Sequence, residues 1–283
     1  MFAISPTLAD NGDKKPTFTN PIIPQSVPDP TVIKAADGYF YLYGTEDTRN
    51  MPIYRSKNLT DWTFIGTAFT NETRPHTVRP YVPAGMMWAP DINYINGQYV
   101  LYYTIGLWGK EWDSGIGVAT APKPEGPFTD HGKLIDSREI EVQNSIDQFY
   151  IEDGGKKYLV WGSFRGIYII QLTDDGLNIM PGAKKQQICG NQSEGSYILK
   201  RKGYYYYFGS VGTCCEGEKS TYHLMYGRSK SLFGPYLTKN GERILDGKYD
   251  TLIKGNDFVA GPGHNAEIME DDKKQTWIIY HGY

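Results

Sequence analysis

Residues 29–45 read DPTVIKAADGYFYLYGT: an acid, a short apolar strand, an Asp-Gly turn and an aromatic-rich strand. The phrase returns as DINYINGQYVLYYT from Asp91, DQFYIEDGGKKYLVWGS from Asp147, EGSYILKRKGYYYYFGS from Glu194 and HNAEIMEDDKKQTWIIYHG from His264. The openings lie 62, 56, 47 and 70 positions apart. Asp37-Gly38 and Asn96-Gly97 are strong hairpin signals, and the apolar–polar alternation around them marks half-buried strands. Three units continue outward in a common way, as MPIYRSKNLTDWTFIG from Met51, IGVATAPKPEGPFTDHG from Ile116 and HLMYGRSKSLFGPYLTKNG from His223. The third is terser, with GIYIIQLTDDGLNI from Gly166. No segment carries a sustained helical period. Self-similarity at this spacing, each unit a small antiparallel sheet, predicts an all-β, five-bladed β-propeller over residues 20–283. Such a fold aims the openings of its innermost strands at one axis, so four carboxylates and a histidine would converge there.

The ends of the chain read differently. Residues 1–19 are polar around Asn11–Lys15 and read as a flexible leader. The fifth unit shows two clear strands before the sequence stops at Tyr283, where other units have four. Either the N-terminal segment completes that sheet or the chain stops short of its natural end. The second reading is preferred, because residues 1–20 show no good strand pattern.

Bulk properties narrow the class. Formal charge is −3 and the pI near 6.0, which gives no footprint for nucleic acid or an anionic membrane. No apolar run approaches the ~18–20 residues of a spanning helix. Aromatic residues make up 14% of the chain, with 23 tyrosines, which suits strands and sugar-stacking surfaces. Three cysteines cannot form a paired disulfide framework. Adjacent Cys214 and Cys215 are expected to pack as small buried hydrophobes, ahead of a strained vicinal bridge or a metal thiolate pair.

A single Asp at a strand start more often caps a turn than catalyses. Here Asp29, Asp147 and Glu194 share one repeat position in apolar contexts, where an unpaired charge is costly. Carboxylates clustered at an axis repel and split their pKa values, leaving some ionised and at least one protonated. Acid and base side by side are what acetal hydrolysis requires.

The ordered set Asp29-Pro-Thr-Val-Ile, Trp88-Ala-Pro-Asp91-Ile, Asn144-Ser-Ile-Asp147, Glu194-Gly-Ser-Tyr197-Ile and Gly261-Pro-Gly-His264-Asn resembles the family 43 glycoside hydrolases, from about Asn20 to the C-terminus. The resemblance implies a five-bladed propeller that cleaves arabinose- or xylose-containing polysaccharides with inversion. Within that family, Cys214–Tyr222 followed by Gly227-Arg-Ser looks like the endo-arabinanase branch. It implies Asp29 as general base, Glu194 as general acid and Asp147 as an ionised carboxylate that orients the acid and raises its pKa. Trp88, Asn144 and Phe164 become candidate substrate-binding residues, and Asp91 a supporting one.

A lone histidine is more often packed than ligating. By resemblance, however, His264 would hold an axial calcium ion, with waters filling the remaining positions. Gln148, where proline is common, and Arg165, where an aromatic is common, depart from the family pattern. The residue 108–112 loop, Trp-Gly-Lys-Glu-Trp, and the Cys-Cys loop are expected to border a groove.

The expected activity is therefore endo-acting cleavage of α-1,5-L-arabinan. The rivals are an exo-acting α-L-arabinofuranosidase or β-xylosidase, and a non-catalytic carbohydrate-binding propeller. The expected partner is a polysaccharide or oligosaccharide, with no nucleic acid and no membrane, and the chain is expected to act as a monomer. A secreted or periplasmic location follows from such a substrate, although Met1–Ala9 shows no clear secretory signal.

Overall fold

The computed structural model describes residues 1–4, 18–46, 49–75 and 85–283. Strand β1 is Phe2–Ile4. Four antiparallel four-stranded sheets follow in chain order. The first is β2 to β5, Thr31–Lys34, Phe40–Tyr43, Pro52–Ser56 and Thr63–Thr67. The second is β6 to β9, Met86–Ile95, Gln98–Gly106, Gly115–Ala121 and Thr129–Asp136. The third is β10 to β13, Phe149–Asp153, Lys156–Trp161, Ile167–Gln171 and Gln186–Cys189. The fourth is β14 to β17, Glu194–Arg201, Tyr204–Val211, His223–Ser229 and Asp250–Ile253. A last, three-stranded sheet has the order β1-β19-β18, with β18 at Met269–Glu270 and β19 at Thr276–Tyr280. The only helical elements among the described residues are three short 3-10 turns. None is long or apolar enough to cross a membrane.

The sheets close a ring. Innermost strands β2, β6, β10 and β14 contact one another in succession. The circle is completed where Thr31 Oγ1 and Val32 N–H donate to Glu267, at 2.8 and 2.5 Å. The core lies between the sheets. Tyr43, Phe69, Leu101, Tyr103 and Phe128 fill the seam between the first two. Tyr102, Tyr150 and Trp161 lie in the next seam, and Tyr197, Tyr207, Met225 and Tyr236 in the third. Aromatic strands bury large flat areas between radiating sheets, so the tyrosine-rich composition becomes wedge packing. The arrangement is an all-β propeller.

The N-terminal segment behaves differently from the expectation. Phe2–Ile4 pairs antiparallel with β19, Phe2 opposite Tyr280 and Ile4 opposite Ile278. A two-stranded edge leaves a row of unpaired backbone groups, and any short extended segment can satisfy them. Three residues are too few to display an alternating pattern, which is why the sequence did not reveal this strand. The rest of the expected leader, residues 5–17, lies outside the described residues.

One backbone device recurs at the openings. Asp29, Ala89, Asp147, Gly195 and His264 all have positive φ, between 40° and 58°. The first four each lie two residues before the position that begins regular inner pairing, and His264 follows the isolated Gly263–His281 bridge. This phasing corrects the reading that the acids share one repeat position: Asp29 and Asp147 do, Glu194 stands one residue earlier, and Asp91 two residues later. A left-handed non-glycine residue costs about 1 kcal/mol or more. That strain recurs where three of the charged side chains meet the axis.

Candidate active site

Two carboxylates of this centre are held by opposite kinds of partner. Asp29 precedes β2, and its Oδ1 lies 3.0 Å from His264 Nδ1, while Thr45 Oγ1 donates to its Oδ2 at 2.5 Å. His281 approaches from β19's end, where its Nδ1 accepts the Asp29 backbone N–H at 3.1 Å. That donor fixes the lone pair on Nδ1. The 3.3 Å approach of the same nitrogen to Asp29 Oδ1 is therefore not a second hydrogen bond in this tautomer. Burial pushes the Asp29 carboxyl up, but His264, by its charge and its hydrogen bond, outweighs it and holds Asp29 well below the usual range. His264 responds in kind. Burial lowers it, and the charges of Asp29, Asp147 and Glu194 raise it to about 9. Asp29 is a carboxylate beside an imidazolium.

Glu194 opens β14 and meets neutral hydroxyls instead. Ser163 Oγ donates to its Oε2 at 2.5 Å and Tyr222 OH to its Oε1 at 2.8 Å. The Ser163 rotor is set from behind by Asn144, whose Nδ2 donates to Ser163 Oγ at 2.9 Å and to its carbonyl at 3.2 Å. Tyr222 is itself stacked on His281, ring centroids 5.6 Å apart at 12°. Burial raises Glu194 first, and the two hydroxyls and His264 pull it only partly back. Asp147 receives one backbone donor, Gly195 N–H at 3.2 Å. Burial pushes it well above the ordinary value; His264 opposes this, and Glu194 and Asp29 add to it.

Burial raises both Asp147 and Glu194, and the Glu194 charge adds to the rise at Asp147, so ionising one makes ionising the other harder. The expectation that Asp147 is ionised has burial working against it and the nearby His264 working for it.

The other expected residues fall around this pair. Asp91 is 2% exposed and faces Glu267 rather than the acids. Its Oδ2 accepts Tyr150 N–H at 2.7 Å and Asn93 Nδ2 at 2.9 Å. Burial, then the Glu267 charge, pushes Asp91 well up, and burial raises Glu267 to about 7. This is a proton-sharing clamp between the second and last sheets. Trp88 is half-buried on Gly106, where a Cβ would come within 2.4 Å of the indole, and its ring meets Trp108 edge-on at 6.3 Å. Phe164 is half-buried with φ 48°, and its N–H donates to Ser193 O at 3.0 Å. Asn144 spends its amide on Ser163.

Of the departures, Gln148 ties Thr104 and the Ala89 carbonyl beside the axis. Arg165 pairs with Glu111 at 2.9 Å on the rim. Trp108 and Trp112 are exposed, as a groove border requires. Cys214 and Cys215 are not buried: Cys214 is half-exposed and Cys215 exposed, both free thiols. They sit in the connection from β15 to β16, a rim loop that offers no core to pack into.

Sequence reasoning passed over Thr45, Ser163, Tyr222, His281 and Glu267. A signal existed for two of them. Aromatic-Gly-hydroxyl closes three units, as Tyr43-Gly-Thr45, Trp161-Gly-Ser163 and Phe208-Gly-Ser210. Thr45 serves Asp29, Ser163 serves Glu194, and Ser210 Oγ accepts His264 N–H at 2.8 Å.

A family model described as glycosyl hydrolases family 43 matches residues 18–283. An extracellular endo-α-(1→5)-L-arabinanase of Bacillus subtilis is 35% identical over 246 residues, 83% of this chain and 75% of its own. An extracellular exo-α-(1→5)-L-arabinofuranosidase of Cellvibrio japonicus is 34% identical over 282 residues, 91% of this chain and 79% of its own. The solved α-L-arabinanase of Cellvibrio cellulosa complexed with arabinohexaose superposes with a TM-score of 0.82 at 32% identity, covering 91% of this chain and 87% of that one.

Proposed function

The chain belongs to glycosyl hydrolase family 43, and from that premise we propose that it cleaves α-1,5-L-arabinan internally, with inversion at the anomeric carbon. The observation that carries the reading is the split between Asp29 and Glu194, one held well below the usual carboxylate range by imidazole and the other raised above it by burial. Asp29 takes a proton from a water molecule, whose oxygen attacks the anomeric carbon. The glycosidic C–O bond breaks as Glu194 delivers its proton to the departing oxygen. An inverting pair needs ~6.5–9.5 Å between carboxyl groups to admit the water. The neighbouring Asp147 carboxyl keeps the acid's pKa high, and Ser163, Tyr222 and Asn144 fix its orientation. Trp88 and Phe164 are the ring faces that would meet sugar.

The three-stranded sheet is read as a fifth blade, supported by the fifth left-handed opening at His264. Secretion is part of the proposal, since similar arabinan-degrading proteins carry extracellular names and the substrate is a polymer. A calcium ion is retained too. No group of three or more His, Cys, Asp or Glu side chains among the described residues is arranged to hold a metal. As a neutral imidazole His264 could offer Nε2, because Asp29 engages Nδ1, so a cation held mainly by water with this one protein ligand would have to displace the proton that the surrounding carboxylates favour. When bound, it would supply positive charge that favours ionised carboxylates.

The test is a product profile on debranched linear arabinan. Oligosaccharides appearing first with a rapid fall in viscosity support the proposal. Arabinose alone from the start supports the exo rival, and no release at all supports the binding-module rival.

A further inference from the structure

The turns that join each innermost strand to its neighbour lie at the far end of the sheets from the carboxylates, and they differ in charge. Four read Ala35-Ala-Asp-Gly38, Ile95-Asn-Gly-Gln98, Asp153-Gly-Gly-Lys156 and Asp271-Asp-Lys-Lys274, each acidic, neutral or balanced. The turn of the fourth sheet, Arg201-Lys-Gly-Tyr204, carries two cations and no acid. Strand register adds two more. Arg201 stands opposite Tyr204 and Tyr206 opposite Arg228, so Arg201, Tyr204 and Arg228 emerge on one face of the sheet. Lys230 returns to that face two residues on. Its Nζ lies 3.6 Å from the centroid of the Tyr204 ring, and the guanidinium carbon of Arg228 lies 4.3 Å from it.

The ring quadrupole holds these two cations together without a neutralising carboxylate. Arg201, Lys202, Arg228 and Lys230 are all exposed, and among the described residues none of them makes an ion pair. The carboxylate next along that face, Asp250 opposite Tyr226, accepts the Lys239 backbone N–H at 2.6 Å. Lys230, and then the charge of Arg228, lower the Tyr204 hydroxyl below its ordinary value. The first sheet supplies the contrast. Tyr39 carries Arg55 at 4.4 Å and Lys57 at 4.9 Å in the same repeat positions, but Asp37 stands in its turn and accepts the Tyr39 N–H and the Tyr41 hydroxyl. Where the first turn has Ala36 and Asp37, the fourth has Arg201 and Lys202. The fold builds this ring-and-cation cluster with an acid in the turn, so it does not need the two extra cations.

We propose that this patch docks an acidic polysaccharide, a polymer with about one carboxylate per sugar, at the end of the fourth sheet remote from hydrolysis. Glu194 opens β14 and Arg201 closes it, which separates them by about 20 Å along the strand. An occupant of the patch therefore leaves the axial centre free. Arabinan is neutral, so the occupant is a companion polymer and not the substrate; this choice rests on the arabinan reading above. Duplex nucleic acid fits less well. It carries one charge per ~1.7 Å, and the formal charge of −3 on this chain opposes so dense a polyanion beyond one local patch. Docking raises the effective concentration of the enzyme around sugar polymers and leaves turnover on short, free substrates unchanged.

The probe is sodium polygalacturonate cast into a native gel, with retardation read at low and at high salt. Two variants are compared with the parent protein. Arg201→Ala combined with Lys202→Asp installs the pair found in the first turn, and Lys230→Gln removes one cation from the ring. Lys202 is left-handed at φ 50°, a conformation that aspartate adopts readily, so the exchange does not strain the turn. The double variant is expected to bind about tenfold more weakly and Lys230→Gln roughly threefold, with high salt releasing the parent. Both variants keep the parent kcat/KM on arabinotriose. No retardation of the parent, equal retardation of all three proteins, or retardation that survives high salt overturns the docking. Release of the parent by less duplex DNA than soluble polygalacturonate, matched for charge, overturns the choice of partner. If the double variant fails to fold, Lys230→Gln decides alone. A parent that is retarded yet releases nothing from linear arabinan upholds the patch and defeats the arabinan reading.

Discussion

The proposed base half and the proposed acid half of this centre are built from the same repeat and end up with opposite electrostatics. On the base side, Asp29 meets two imidazoles and a threonine hydroxyl, and it is held well below the usual carboxylate range. On the acid side, Glu194 meets a serine, a tyrosine and a second buried carboxyl, and it is raised. Burial opposes charge in both halves. The sign of the outcome is set by whether the nearest partner can carry a positive charge, and a hydroxyl cannot.

The severest break of this contrast is deletion of either carboxyl. Asp29→Ala and Glu194→Ala are each expected to lower kcat on linear arabinan by about 10²–10⁴-fold with the fold intact, as circular dichroism and melting would verify. Near-normal turnover in either would remove that residue from the chemistry.

His264→Gln tests the base half next. Without the imidazolium, the carboxyl of Asp29 titrates higher, so the acid limb of the pH–kcat/KM profile moves to higher pH. Stability changes on the other side of neutrality. His264 is raised above its ordinary 6.5 to about 9, so its contribution is complete below 6.5 and is lost as pH rises through about 9. Between pH 6.5 and about 9 the parent protein is expected to lose melting temperature more steeply than His264→Gln. An identical alkaline decline in the two would contradict the pairing.

Asp147→Asn sharpens the acid half. Removing the neighbouring charge makes Glu194 easier to ionise, which moves the alkaline limb to lower pH. Tyr222→Phe and Ser163→Ala act the other way. Each removes a donor that favours ionised Glu194, so the alkaline limb moves to higher pH, with a rate loss of roughly tenfold for one lost hydrogen bond of about 1–2 kcal/mol. Opposed shifts for Asp147→Asn and Tyr222→Phe are the signature; shifts of the same sign would refute the coupling of the two carboxyls.

Much of the fold was legible, because the Asp-Gly and Asn-Gly turns and aromatic strands repeat at a spacing that only stacked small sheets satisfy. The three axial carboxylates and His264 were legible for the same reason. Their phasing was not. A bulge places Glu194 one residue before the left-handed Gly195, and another places Asp91 two after Ala89, and bulges leave no mark in a strand pattern. Glu267 and His281 come from a sheet whose third strand is contributed by residues 2–4, a pairing of backbone groups with no side-chain signature. Tyr222 stood in view within Ser220-Thr-Tyr222, but its role depends on a loop crossing above the acid. Buried Arg74, donating to Glu46 Oε2 at 2.6 Å, was likewise invisible, since two distant charges say nothing about pairing until the chain is folded.

The most direct test of the split between base and acid changes the leaving group instead of the enzyme. An arabino-oligosaccharide ending in a nitrophenol departs without needing a proton, so it bypasses a general acid and still requires a base. Glu194→Ala is expected to recover most of the parent rate on this substrate, and Asp29→Ala to remain inactive on it. Recovery in Asp29→Ala, or equal inactivity in both variants, would contradict the assignment of the two halves.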